Sequence, residues 1–351
     1  MKIGVIIMGS PKIVRSVPLW RPKPVKERFK TVVEKIINKR PRLDRFFNIY
    51  RGLWTGVRHI FVIPKEIVIE YNIEKECLKP IIRGKDIKPF CVIWNDMYVI
   101  YAVGKNFETR YPNAITWLSR FKNILQKRAA VYIWNREWYE LEDPLSPEDF
   151  EVDKIVTPVA TNINSFACDF TKYYCTEGVT ILRFWRNEKE MRAYFAEWKR
   201  VNEPNLNIDE AINESEDLLR EVGINKDSLW FFVGVLNSHL IEFIHKIRGQ
   251  RIQKRTKRPK PGRYFMYTPP WLNVLPIEIS ERSRRNEIAN VSKKISTLCM
   301  KLNTTEDEKE KESLKKEIEH LLVELNEIVF EVYGLTKEEI GIIQAWVLKK
   351  R

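Results

Sequence analysis

Between Phe46 and Phe184 the chain repeats one pattern: short apolar runs of strand length, each closed off by turn residues. The runs are Phe61-Ile63, Ile67-Ile69, Cys91-Ile93, Tyr98-Val103, Ala130-Trp134, Lys154-Pro158 and Val179-Phe184. One helix is expected among them, Ala114 to Arg128, because Ile115, Leu118, Phe121, Ile124 and Leu125 share a face. Past Glu188 the period changes from two to about 3.6. A charged helical segment covers about 187–223, and a strongly apolar helix covers Ser228 to Lys246. From Ile288 onward apolar residues recur three and four apart, the seam of a coiled coil. A polar break at Asn303 to Glu312 divides that tail into a helical hairpin. Tyr333-Gly334 then reads as a stop, with Thr336 and Glu339 as the capping box of a last helix. Strands first and helices afterwards predict an α+β fold: a mixed, β-rich region with inserted helices, followed by a C-terminal helical hairpin.

Charge narrows the class of partner. The chain has 351 residues and a formal net charge of +14. Residues 1–60 carry 15 Lys/Arg against 3 Asp/Glu, and residues 248–263 carry 8 Lys/Arg with no acid, which leaves a net of −6 on the rest. Two concentrated cationic segments suit a polyanion better than a uniformly Lys-rich surface does. The segment Arg248-Gly-Gln-Arg251-Ile-Gln253-Lys254-Arg255-Thr-Lys257-Arg258-Pro-Lys260-Pro-Gly-Arg263 places many cations within reach of one phosphate backbone. Its Arg251, Gln253, Arg255 and Arg258 also have the paired donors that read guanine or adenine edges. A solvated charge run is the plainer alternative.

The five cysteines (77, 91, 168, 175, 299) are scattered without a Cys-x-x-Cys pair, so neither a zinc site nor a disulfide framework is indicated. Free thiols fit a reducing cytoplasm. The apolar run Ile3 to Met8 is too short for a signal segment or a membrane span, and no membrane partner is expected. Residues 11–24 carry four prolines and read as an extended arm, followed by a helix over Val25 to Lys39 that Pro41 ends.

Two glycine-marked basic loops stand out. In Arg51-Gly52-Leu53-Trp54-Thr55-Gly56-Val57-Arg58-His59, two glycines bracket a basic, aromatic turn, and Ile60 to Ile63 reads as the strand that anchors it. Arg83-Gly84-Lys85-Asp86-Ile87-Lys88-Pro89-Phe90 is the second, with Asp86 as a turn or cap residue. Tyr111-Pro112-Asn113-Ala114-Ile115, Leu236-Asn237-Ser238 and Leu275-Pro276-Ile277 follow in order. This ordered series resembles the TaqI-like C-terminal specificity domain, the target-recognition region of adenine-specific DNA methyltransferases and type IIG restriction-modification enzymes. The resemblance runs from about Leu43 to Ile277, and a tail of the same character continues to Arg351.

The resemblance implies residues 1–42 as a basic arm and helix, 43–279 as the specificity domain with an insertion at about 187–223, and 280–351 as a helical hairpin tail. It also implies that Arg51, Trp54, Thr55, Arg58, Arg83, Lys85 and Lys88 lie in loops that face double-stranded DNA, and that S-adenosylmethionine belongs to a separate catalytic domain. This chain has no Asn/Asp-Pro-Pro-Tyr/Phe motif to grip a flipped adenine. Thr268-Pro269-Pro270-Trp271 lacks the amide or carboxylate and reads as a proline turn. Met8-Gly9-Ser10-Pro11 is a poor substitute for a cofactor-binding glycine turn, and no Walker loop or metal-ligand cluster is present. The expectation is a specificity subunit with no catalytic residues and no cofactor of its own, working with a separate adenine methyltransferase or methyltransferase-nuclease chain. The alternatives are a remnant of a fused type IIG enzyme, a nucleic-acid-binding protein without base readout, and an enzyme whose site has no recognised motif.

Overall fold

A computed structural model describes residues 25–249 and 264–348. Its centre is an antiparallel four-stranded sheet in the order Phe47–Arg51, Val179–Phe184, Lys154–Pro158, Ala167–Asp169. Side chains alternate across a pleated sheet, so both faces of a buried sheet must be apolar. Phe47, Ile49, Ile155, Leu182 and Phe184 pack into one hydrophobic core. Tyr50, Val156, Val179 and Ile181, their neighbours along the strands, pack into a second. The sheet is the wall between two cores, which explains why these strands carry apolar residues on both faces. Phe47 and Phe184 are opposite each other in register and their rings stack at 4.6 Å.

The second core is closed by another four-stranded sheet in the order Tyr174–Cys175, Leu78–Ile82, Met97–Ile100, Val62–Pro64. The first of its pairings is parallel and the others antiparallel. The first core is covered by helices. Glu27–Ile37 buries Phe29, Val32, Val33 and Ile36. Lys226–Asn237 packs against Arg282–Thr304 with its Gly234 in the contact: a Cβ there would lie 2.4 Å from Ser292 Oγ and 2.6 Å from Ile288 Cγ2. The tail is the expected hairpin, Arg282–Thr304 and Glu308–Val332, held near its turn by Lys301–Glu310 at 2.7 Å and near its open end by Arg284–Glu331 at 3.1 Å. Its seam residues Ile288, Val291, Ile295, Leu325 and Ile328 are buried in the same core as Phe47 and Leu236. Thr336 and Glu339 form the expected capping box, with Thr336 N donating to Glu339 Oε2 at 2.8 Å and Glu339 N donating to Thr336 Oγ1 at 3.3 Å. The architecture is α+β, as the patterning predicts, with helix outweighing strand.

Several elements differ from the sequence expectation. Ile67-Ile69 lies in a helix, Lys65–Glu70, where Ile69 faces solvent; Pro64 at its N-cap starts the helix despite the β-branched run. Ala130-Trp134 is no strand: Ala129–Tyr132 is a helical turn in which only Ala130 is buried. The single helix expected over Ala114 to Arg128 breaks at Arg120-Phe121 into Pro112–Ser119 and Lys122–Leu125. Ser228 to Lys246 is two helices, Lys226–Asn237 and His239–Arg248, hinged at Ser238. Ile60 and Phe61 belong to a helical turn, Arg58–Phe61, before the strand Val62–Pro64.

Candidate nucleic-acid interface

The loop after Phe47–Arg51 is fixed by backbone contacts that only glycine permits. Gly52 N donates to Val179 O at 2.9 Å, and Leu53 N donates to Cys175 O at 2.9 Å. A Cβ on Gly52 would lie 2.2 Å from Cys175 O and 2.3 Å from Thr176 O, so no other residue fits. Trp54 exchanges two backbone hydrogen bonds with Asp143, each 2.8 Å, which leaves its indole 45% exposed. Gly56 turns the chain at φ +77°.

Both arginines of this loop close on the turn Thr176-Glu177-Gly178. Arg51 donates from Nε and Nη2 to Glu177 O at 3.0 and 2.5 Å, and its guanidinium lies 5.7 Å from the centre of the Trp54 ring. Arg58, about half exposed, is ion-paired with the Glu177 carboxylate. The second basic loop reaches the same turn. Gly84 packs so closely on it that a Cβ would lie 2.9 Å from Gly178 O, and a Cβ on Gly178 would stand 4.0 Å from both Gly84 N and Arg58 Nη2. Two loops far apart in sequence thus meet at one point.

Within the second loop, Asp86 is buried and accepts from Arg83 N at 2.8 Å, Arg83 Nε at 2.8 Å, Arg83 Nη2 at 3.0 Å and Asn95 Nδ2 at 2.9 Å. It is the cap residue expected from the sequence, and Arg83 is its partner. Lys85 and Lys88 are exposed, and neither forms an ion pair among the described residues. Thr55 is placed differently from an outward-facing contact: it is buried, and its carbonyl accepts from Arg128 Nη1 at 2.9 Å. Arg128, the last residue of the single helix expected from Ala114, is buried. Its buried guanidinium also donates to the carbonyls of Leu125, Trp138 and Glu140, which ties three segments together. Burial lowers its pKa from the ordinary guanidinium value.

Arg248 ends the helix His239–Arg248; it is partly buried, and desolvation pulls its guanidinium below the usual range. The other candidates of that segment, Arg251, Gln253, Lys254, Arg255, Lys257, Arg258, Lys260 and Arg263, lie outside the described residues. Thr268-Pro269-Pro270-Trp271 forms a short helical turn, Pro269–Leu272, with Pro270 buried. The segment over Glu188 to Val222 is two helices, Glu188–Val201 and Ile208–Val222. Among the described residues there is no group of three or more metal-ligating side chains, and no helix is long and apolar enough to cross a membrane.

Glu177 escaped the sequence reading. A carboxylate between two basic loops carries no motif, and only the fold brings it to Arg51 and Arg58. Arg128 was missed as an anchor for the same reason.

No protein-family model and no curated protein matches the sequence. The fold, however, has solved counterparts. The chain superposes on the type IIL restriction-modification enzyme MmeI, solved in complex with DNA, with a TM-score of 0.55 at 10% identity, over 89% of this chain and 36% of that one. This chain has the fold of part of MmeI. The type IIG restriction endonuclease BpuSI aligns at a TM-score of 0.34 and 12% identity, over 87% of this chain and 33% of that one. The chain therefore spans about a third of the length of either enzyme.

Proposed function

We propose that this chain reads a DNA target for an adenine-specific methyltransferase or restriction-modification system, with methyl transfer carried out elsewhere. The observation that carries this reading is the meeting of two basic loops, Arg51 to Arg58 and Arg83 to Lys88, at the turn Thr176-Glu177-Gly178. Trp54 and Arg58 on the first loop and Lys85 and Lys88 on the second are exposed to solvent. Likeness in fold to part of an enzyme solved with DNA supports the same class of partner.

In this reading the loops divide the work. Arg83 stays with buried Asp86, and Arg51 stays on the Glu177 carbonyl; both hold shape. Lys85 and Lys88 meet phosphates, which set position without reading sequence. Arg58 exchanges the Glu177 carboxylate for DNA. The segment 248–263 supplies the larger phosphate contact, and Arg251, Gln253, Arg255 and Arg258 read base edges. The specificity region corresponds to 43–279, flanked by the arm of 1–42 and the hairpin of 280–351. S-adenosylmethionine and the adenine pocket belong to a separate methyltransferase or methyltransferase-nuclease chain in a reducing cytoplasm. A second reading, that such a module works inside one fused polypeptide, is favoured by the match to about a third of the longer MmeI chain.

Selection of bound members from a randomised duplex pool, followed by competition against random duplex, tests base readout. An enriched site bound far more tightly than random duplex is the expected result. Equal affinity for both would leave only a general nucleic-acid binder, and methyl transfer by the purified chain alone would refute the division of labour.

A further inference from the structure

We infer that the exposed turn Tyr132-Ile133-Trp134 is an apolar wedge that enters duplex DNA and unstacks a base step. The inference rests on the DNA-binding reading above and goes beyond it, because none of these residues was a candidate contact.

The turn is built to protrude. Tyr132, Ile133 and Trp134 are 72%, 58% and 50% exposed, although burial of such large apolar side chains is favourable. Ala130 beneath them is fully buried, Asn135 reverses the chain at φ +48°, and Arg136 N closes the turn on Ala130 O at 3.0 Å. Both ends of the excursion are clamped by the buried Arg128 guanidinium, which bonds Leu125 O on one side and Trp138 O and Glu140 O on the other. The same guanidinium holds Thr55 O, so the turn and the Trp54 loop share one anchor. An apolar tip on a fixed base is what insertion requires, since a tip on a mobile loop would have to be ordered first.

Charge decides what the tip enters. From Thr109 to Arg136 the sequence has six Lys/Arg and no Asp or Glu. Lys122 stands 5.0 Å over the Trp138 ring at the base of the turn, and none of Lys122, Lys127 and Arg136 forms an ion pair among the described residues. An apolar protein patch would match the tip but leave these cations unanswered. A duplex answers both, with phosphates at the rim and stacked bases at the centre.

The test uses the full chain and a duplex pool with a randomised centre. Bound duplexes are recovered and probed with permanganate, which oxidises unstacked thymines. The expected result is thymines several-fold more reactive at one step than in free duplex. In the variant Tyr132→Ser, Ile133→Ser, Trp134→Ser that reactivity falls to the free-duplex level while duplex is still retained through the basic loops. Ile69→Ser, at an exposed apolar position on another helix, keeps the wild-type signal, and Trp134→Phe, which preserves an aromatic tip, keeps most of it. Bound duplex without reactive thymines, or equal reactivity with the triple variant, overturns the wedge but leaves DNA recognition standing. A wild-type chain that retains no duplex at low salt overturns both. Unchanged thymine reactivity with loss of a co-purifying methyltransferase chain would make the turn a protein contact and also overturn the wedge.

Discussion

Asn237 closes its side-chain amide on the backbone of Phe166: Nδ2 donates to Phe166 O at 2.8 Å, and Oδ1 accepts from Phe166 N at 3.0 Å. The amide acts as one more strand residue at the edge of the central sheet, delivered from the end of a helix. The flanking residues of Leu236-Asn237-Ser238 serve the same junction. Leu236 O accepts from Asn164 Nδ2, and Ser238 Oγ accepts from Ile241 N at 3.3 Å to start the next helix. Asn237→Leu leaves the buried Phe166 N–H without a partner, at about 1–3 kcal/mol, while Phe166 O keeps the hydrogen bond from Phe90 N at 2.9 Å. Urea unfolding should show a loss of about 1–3 kcal/mol. A loss under about 0.5 kcal/mol, the range of neutral surface changes, would mean that the pairing contributes nothing.

Two glycines should respond in opposite directions to the same substitution. Gly52→Ala puts a methyl 2.2 Å from Cys175 O, a backbone atom that cannot step aside without breaking the sheet edge. Gly341 lies inside the helix Lys337–Leu348 with nothing within 4 Å of its added Cβ. Gly341→Ala should therefore stabilise by about 0.5–1 kcal/mol, from helix propensity alone. Gly52→Ala should destabilise by about 2 kcal/mol or more. Thermal melts of the two variants should move apart, and a shared sign would contradict the close approach.

The glycine argument also shows what the sequence made legible. The Gly-bracketed loop, the second basic loop and the ordered short motifs could be found because local rules mark them: a glycine where backbones touch, a cap at Asp86, a seam at Ile288 to Val332. Tertiary relationships had no such mark. Arg128 lies in a run of cations that looks like a solvated face, yet it is buried because four carbonyls converge on it. Ile67-Ile69 and Ala130-Trp134 had strand composition, but strands need a neighbour, and none of the described strands pairs with either run. Glu177 entered the site only because the turn before Val179–Phe184 lies against Gly52 and Gly84.

His245 sets a pH limit on stability. It is fully buried, with its ring 4.2 Å from that of Tyr267, and burial, with Lys246 beside it, lowers its pKa to about 3. In the unfolded chain the imidazole titrates near 6.5. Between these values the unfolded state binds a proton that the folded state refuses, so stability falls as pH drops below about 6.5 and the loss is complete near 3. From this group alone the loss between pH 7 and pH 5 should be about 2 kcal/mol. His245→Gln cannot titrate and should flatten that interval even if it lowers stability at pH 7. Equal slopes for wild type and variant would remove His245 as the cause.

Glu177 is an acid where two basic loops meet, and if those loops bind DNA its removal should strengthen the binding. Its carboxylate neutralises Arg58, and its carbonyl, which no side-chain substitution removes, holds Arg51. Glu177→Gln frees one cation, so the salt slope of duplex affinity should steepen by about one unit and low-salt affinity should rise several-fold. Arg58→Ala should move both quantities the other way. Fluorescence anisotropy across a salt series separates the cases. Weaker binding by Glu177→Gln would mean that the pair is needed for the shape of the loop rather than competing with DNA.

The cationic segment 248–263 makes the largest claim on binding, because it concentrates eight Lys/Arg without an acid. Each phosphate it neutralises releases condensed counterions, at about 0.9 in the slope of log affinity against log salt. Arg255→Gln, Lys257→Gln and Arg258→Gln together remove three of those charges. If all three reach phosphates, the slope should flatten by about 2–3 units, with the largest loss at low salt, where counterion release contributes most. Base readout by Arg255 or Arg258 would add a second effect, since losing a bidentate contact costs about 1–3 kcal/mol against the cognate base pair and much less against random duplex. Measuring cognate and random duplex side by side therefore tells position from readout. A uniform loss with a flatter slope means phosphate contact, and a selective loss means base contact. Unchanged low-salt affinity on both duplexes would remove the segment from the interface altogether.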